Sequence, residues 1–93
     1  MIQSFKDKET ERIANGRYSK RFPFDIQGRA KALLDRMRAA ELLDDMKVPP
    51  SLRFKKLRGD RREQFSIRVN DQYRICFNWA DGRFTNVELA DYH

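Results

Sequence analysis

The sequence predicts an α+β domain, two N-terminal helices packed on a twisted antiparallel sheet of about four strands. Three observations carry that expectation. Ile26, Ala30, Leu33, Leu34 and Met37 recur at helical spacing along one face. From residue 51 the apolar period changes to two, as in half-buried strands. The residues between the alternating runs, Asn70-Asp71-Gln72 and Asp81-Gly82, are turn formers. With 93 residues the chain holds a single domain, 1–93.

Each element follows from local chemistry. Ile2 to Phe5 alternates weakly and reads as a short strand. Asp7 is an N-cap for a helix through Ala14, which Asn15-Gly16 stops. Arg17 to Arg21 is a basic loop. Pro23 suits the first turn of the second helix. Leu42, Leu43 and Met46 either extend that helix or begin the next loop. Pro49-Pro50 ends any helix and starts an extended segment. Phe65, Ile67 and Val69 then share a face, opposite Ser66 and Arg68. Tyr73, Ile75, Phe77 and Trp79 share another, opposite Arg74, Cys76 and Asn78. Thr85, Val87 and Leu89 supply the core face of a last strand.

Register sharpens the picture. Keeping apolar faces together in both hairpins calls for loops of odd length. A three-residue loop at 70–72 places Ile67 opposite Ile75 and Arg68 opposite Arg74. Two arginines side by side repel and do not help the fold. Either an anion sits between them, or the next strand neutralises Arg74. With a loop at Ala80-Asp81-Gly82, Glu88 falls opposite Arg74.

Composition narrows the function. Lys plus Arg number 20 and Asp plus Glu 14, a formal charge of +6. That surplus favours a polyanionic partner. It is concentrated between Arg53 and Arg62, where six basic residues accompany one acid. The segment reads equally as a lysine-blunted edge strand or as a phosphate-binding surface. The chain has 1 Cys, so neither a disulfide framework nor a multi-thiolate zinc site forms within it. No apolar run approaches the roughly 18 residues of a membrane span. The N-terminus lacks the apolar core of a secretory signal. The expectation is a small basic cytoplasmic domain with no cofactor, no metal and no membrane.

Specific motifs complete the reading. Leu57-Arg58-Gly59-Asp60-Arg61, Ser66-Ile67-Arg68-Val69-Asn70, Tyr73-Arg74-Ile75-Cys76-Phe77 and Asp91-Tyr92-His93 occur in that order between residues 57 and 93. In these pieces, and in its Met1-Ile2-Gln3-Ser4-Phe5 start, the chain resembles a HigB-type toxin of the RelE/ParE superfamily. The resemblance implies a RelE-like fold whose concave sheet face takes the substrate. It implies cleavage of mRNA in the ribosomal A site, which halts translation. It also implies a HigA-type helix-turn-helix antitoxin, through which alone the toxin reaches operator DNA.

Cleavage through the neighbouring 2′-hydroxyl needs a base, an acid and a phosphate stabiliser. The resemblance assigns His93 the acid–base role and Asp91 its orientation or proton handling. Tyr92 stacks on a base or donates to phosphate. Read without the motif, these last residues are an ordinary frayed tail. Arg74 matches the family arginine that stabilises the transition-state phosphate. Arg58 and Arg61 match basic positions on the substrate side, and Arg68 lies in the matching strand. Arg53, Lys56 and Arg62 are expected to hold RNA backbone without sequence preference. Lys55 stands where well-characterised relatives carry a histidine. It can stabilise phosphate charge, but as a base it needs a depressed pKa. Cys76, on the Arg74 face, reads as a small filler rather than a nucleophile. Two rival functions remain at this level: a ParE-like gyrase inhibitor that cuts no RNA, and a basic RNA-binding module with no reaction.

Overall fold

A computed structural model of the chain describes residues 1–61 and 63–91. Helix α1 spans Lys8–Ala14 and α2 spans Phe24–Ala39. Strands β1 (Lys55–Lys56), β2 (Phe65–Arg68), β3 (Tyr73–Ala80) and β4 (Arg83–Asp91) form one antiparallel sheet in the order β1-β2-β3-β4.

The helices begin and end where their chemistry directs. The Asp7 carboxylate accepts from the Thr10 amide at 2.7 Å, satisfying one of the open N–H groups of α1. Pro23 is the residue before α2, one position earlier than a first-turn proline. All five residues of the expected stripe, Ile26, Ala30, Leu33, Leu34 and Met37, are buried. They meet Ile67, Ile75, Phe77, Phe84, Val87 and Leu89 from the sheet in one core. Phe77 and Phe84 pack edge to face, centroids 5.0 Å apart. Two bonds fasten the layers. Arg29 Nε donates to the Val69 carbonyl at 2.8 Å, and the Leu89 amide donates to Thr10 Oγ1 at 3.0 Å. Buried Gln27 secures the basic loop between the helices, donating to the Ser19 and Phe22 carbonyls at 2.7 and 2.9 Å.

Gly28 lies inside α2, and a Cβ built there meets nothing within 4 Å. Glycine in a helix interior costs about 0.8–1.0 kcal/mol relative to alanine. Gly28→Ala is therefore expected to stabilise the fold by roughly 0.5–1 kcal/mol, read in thermal unfolding as a rise of a few degrees in Tm.

Of the two readings of Leu42, Leu43 and Met46, the loop holds: Leu43–Lys47 is a 3₁₀ turn after α2 that buries Met46. Other expectations are corrected. Pro50–Leu52 is a second 3₁₀ turn, so the extended stretch at the proline pair is brief. The Ile2–Phe5 segment makes two isolated bridges parallel to β4, Ile2 with Phe84 and Phe5 with Val87, rather than a full strand.

The largest correction concerns β4. Its hairpin with β3 closes through two residues, Asp81 at φ 55° and Gly82 at φ 78°, with Ala80 opposite Arg83. Positive φ at both central positions suits the right-handed twist of the flanking strands. This turn alone puts Phe84, not Thr85, on the core face opposite Trp79. A bulge at Asn86, φ 52°, then inserts one residue and returns Val87 and Leu89 to the core. The odd loop length inferred from alternation was thus replaced by an even turn plus a bulge. As a result Ala90 lies opposite Arg74, and Glu88 lies opposite Cys76.

Candidate active site

The face of the sheet turned away from the helices collects the expected cations by register. Across one row run Lys55, Ser66, Cys76 and Glu88; across the next run Arg68, Arg74 and Ala90. Directly paired residues share a face and alternate residues change it. The four-residue β2 and eight-residue β3 therefore bring Arg68 and Arg74 together, as the 70–72 loop predicts.

Arg74 is half-buried and held at two points. Its Nε donates to Ser66 Oγ at 2.7 Å, and its Nη2 donates to the Arg53 carbonyl at 2.6 Å. Arg53 has left-handed φ, 46°, at the end of the second 3₁₀ turn, which turns its carbonyl onto the sheet. Arg53 thus serves through its backbone, a role its charge did not foretell. Arg68 pairs with Asp71 in the β2–β3 turn. That hydrogen bond and the guanidinium charge hold the Asp71 carboxyl below the usual carboxylate range. The pair therefore persists through the usual carboxylate range and is lost only as pH falls through the lowered pKa of Asp71. The close approach of Arg68 and Arg74 is thus eased by Asp71, not by Glu88.

Glu88 does another job that the sequence reading missed. Its carboxylate takes Arg61 at 3.0 Å and Lys6 at 3.5 Å. Arg61 also donates to Gln64 at 3.0 Å. These contacts draw the 3₁₀ turn Gly59–Arg61 onto the sheet and add Lys6 to the basic face. A groove of about 490 Å³ lies here, lined by Lys6, Asp60, Arg61, Glu63, Gln64 and Asn78. A second, of about 460 Å³, runs past Lys56, Leu57, Arg58, Gly59 and Glu63.

Beneath the cations lies a small apolar floor of Leu57, Cys76 and Ala90. Low polarity beneath a guanidinium strengthens its pull on an anion. Cys76 is 0% exposed, as suits a small filler. Burial pushes its thiol up, against the opposing pull of Arg61. The native protein is therefore expected to resist Ellman's reagent at pH 8 and to yield its one thiol only in denaturant.

Two expected residues take positions apart from this face. Lys56 lies opposite Phe65, and Asp91 opposite Tyr73, both in the alternation of the helix-side face. Asp91 Oδ2 accepts from Gln72 Nε2 at 3.0 Å. Arg58 is exposed on the loop after β1. Arg62, Tyr92 and His93 lie outside the described residues. Among the described residues no group of His, Cys, Asp and Glu is placed to hold a metal, and no helix is long and apolar enough to cross a membrane.

The sequence and the fold have known counterparts. The chain is 36% identical to toxin HigB-1 of Vibrio cholerae over 90 residues, 96% of this chain and 95% of that one. An uncharacterized protein of Haemophilus influenzae is 32% identical over 56 residues, 60% of this chain and 55% of that one. Among solved structures, a mutant of YafQ from E. coli superposes with a TM-score of 0.63 at 11% identity, covering 98% of this chain and 93% of that one. At that identity the likeness establishes the fold. The family described as "RelE-like toxin of type II toxin-antitoxin system HigB" matches residues 3–93. The chain belongs to this HigB-like family of type II toxins, as the motifs around Arg58, Arg74 and Asp91 led one to expect.

Proposed function

We propose that the chain is a ribosome-dependent endoribonuclease that cleaves mRNA in the A site and so inhibits translation. The observation that carries this reading is Arg74. It is a guanidinium fixed by Ser66 and by the Arg53 carbonyl on an open sheet face, over an apolar floor. A planar, permanently charged group held in advance suits the charge that builds on phosphorus in the transition state.

The reaction needs no external nucleophile. The 2′-hydroxyl loses its proton and attacks the adjacent phosphorus, and the bond to the leaving 5′-oxygen breaks as that oxygen gains a proton. The products are a 2′,3′-cyclic phosphate and a 5′-hydroxyl. His93 handles the proton, because its side chain changes charge near neutral pH. Asp91 orients His93. Tyr92 supports the flanking base or donates to phosphate, and Lys55, in the open-face row, adds charge stabilisation. Arg61, Arg68 and Arg58 hold the RNA backbone, with Arg53, Lys56 and Arg62 in a weaker supporting role. The mechanism is metal-independent. The partners are the 70S ribosome with its mRNA and a HigA-type antitoxin that alone carries the toxin to operator DNA. The compartment is the cytoplasm.

Primer extension on mRNA bound to translating ribosomes tests the proposal. Wild type is expected to give new 5′ ends within codons of the A site. Intact message would sink it; inhibition of gyrase supercoiling by the pure protein would then favour the gyrase inhibitor, and RNA binding without cutting the non-reacting RNA-binding module.

A further inference from the structure

Glu88 puts a carboxylate on the face that would take RNA, where its charge alone repels phosphate. It lies in the row next to Arg74, about 7 Å away along the strands. Its side chain is only 18% exposed. Two cations from distant parts of the chain meet it at one oxygen. Arg61 Nη1 comes from the 3₁₀ turn at 3.0 Å, and Lys6 Nζ comes from the N-terminal segment at 3.5 Å.

The backbone around these contacts is fastened without them. The Lys6 amide donates to the Val87 carbonyl at 2.9 Å, and the Val87 amide donates to the Ser4 carbonyl at 3.1 Å. Around the turn, the Leu57 amide donates to the Gln64 carbonyl and the Gln64 amide to the Arg61 carbonyl, each at 2.8 Å. Asn78 Nδ2 adds a bond to the Glu63 carbonyl at 3.1 Å. Partly exposed ion pairs contribute little to stability beyond this. What the Glu88 carboxylate decides is where two long side chains point. Arg61 Nη1 is shared between Glu88 and Gln64, each at 3.0 Å, which sets the guanidinium plane. Ser66 and the Arg53 carbonyl set the Arg74 plane in the same manner. Lys6, on a flexible four-carbon stem and more than half exposed, samples many rotamers unless an anion holds it.

We propose that Glu88 is a positioning residue for RNA: it holds Arg61 and Lys6 over the open face, where they grip a phosphate beside the scissile one. Cations ordered in advance lose less freedom when the anion arrives, which outweighs the repulsion from one neutralised carboxylate. Lys6 thereby joins the substrate-binding residues. The inference rests on the nuclease reading for which phosphate is scissile, so its test reads binding rather than cleavage.

The probe is a fluorescein-labelled oligoribonucleotide carrying 2′-O-methyl groups, which has no attacking hydroxyl. Anisotropy titrations compare Glu88→Ala and the isosteric Glu88→Gln in two backgrounds, the wild-type chain and a chain carrying Arg61→Met and Lys6→Met, with Tm as the control for folding. In the wild-type background both substitutions are expected to weaken binding at least fivefold, although each removes a negative charge. In the second background they are expected to strengthen binding or leave it unchanged, because only the repulsion remains. Lys6→Met alone should reduce the slope of log affinity against log salt by about 0.7, one single-strand phosphate contact. Unchanged or stronger binding by the Glu88 variants of the wild-type chain overturns the proposal. Weaker binding in both backgrounds makes the role structural and overturns it too, as does a wild-type chain that does not bind the probe. If the reversal of sign is found while message on ribosomes stays intact, the positioning role stands and the nuclease reading falls.

Discussion

Arg74→Ala is expected to lower the single-turnover rate of mRNA cleavage on ribosomes by about 100- to 1,000-fold, the usual cost of removing one preorganised transition-state donor. Arg74→Lys should recover little of that. An ammonium keeps the charge but cannot hold Ser66 Oγ and the Arg53 carbonyl in one plane. The comparison separates charge from geometry. Ser66 is 0% exposed, and its hydroxyl is what orients the guanidinium. Ser66→Ala should therefore reduce cleavage by about tenfold with Arg74 still present, by letting the group swing away from its productive position. Circular dichroism and Tm serve as controls, because Arg74 also ties the Arg53 turn to the sheet. Cleavage by Arg74→Ala within a few-fold of wild type would remove the central support of the nuclease proposal.

The residues show where a sequence discloses a site and where it stops. The Arg68–Arg74 pairing was legible because a single loop, 70–72, sets it, and the apolar faces of β2 and β3 admit one register. The α2 stripe was legible for a similar reason, since five apolar residues at helical spacing can be buried together in only one way. The Arg74–Glu88 pairing failed because two one-residue shifts add. The two-residue turn at Asp81-Gly82 moves the register by one residue and the Asn86 bulge moves it by one more, so Arg74 meets Ala90. Alternation counted along β4 cannot detect a pair of shifts that restores the core face. Asn86 was the available hint, since asparagine tolerates positive φ better than most residues. The Arg53 carbonyl and the Glu88–Lys6 contact lay beyond reach for another reason. Both depend on nonlocal approach, of the second 3₁₀ turn in one case and of the N-terminal segment in the other.

His93→Ala is expected to cut the cleavage rate by about 100- to 10,000-fold, the range for loss of a positioned general acid or base. Loss of rate alone would not assign the role, so the pH profile decides it. If His93⁺ protonates the leaving 5′-oxygen, the wild-type rate falls as pH rises through the imidazole pKa, near 6.5 when unperturbed. That limb should vanish in His93→Ala. Asp91 provides the second handle. A neighbouring carboxylate favours the charged imidazole and raises its pKa. Asp91→Asn should therefore move the alkaline limb to lower pH while leaving RNA binding near wild type. Gln72 already bonds one Asp91 oxygen, so Gln72→Ala should move the limb less than Asp91→Asn does and leave it in place. Lys55 enters through the same curve. It shares the open-face row with Ser66, Cys76 and Glu88, where its side chain can stabilise phosphate charge. Lys55→His should then add a second titration to the profile, because an imidazole at that position loses its charge within the measured range. A Lys55→His profile that overlays wild type would show that this row does not face the scissile phosphate.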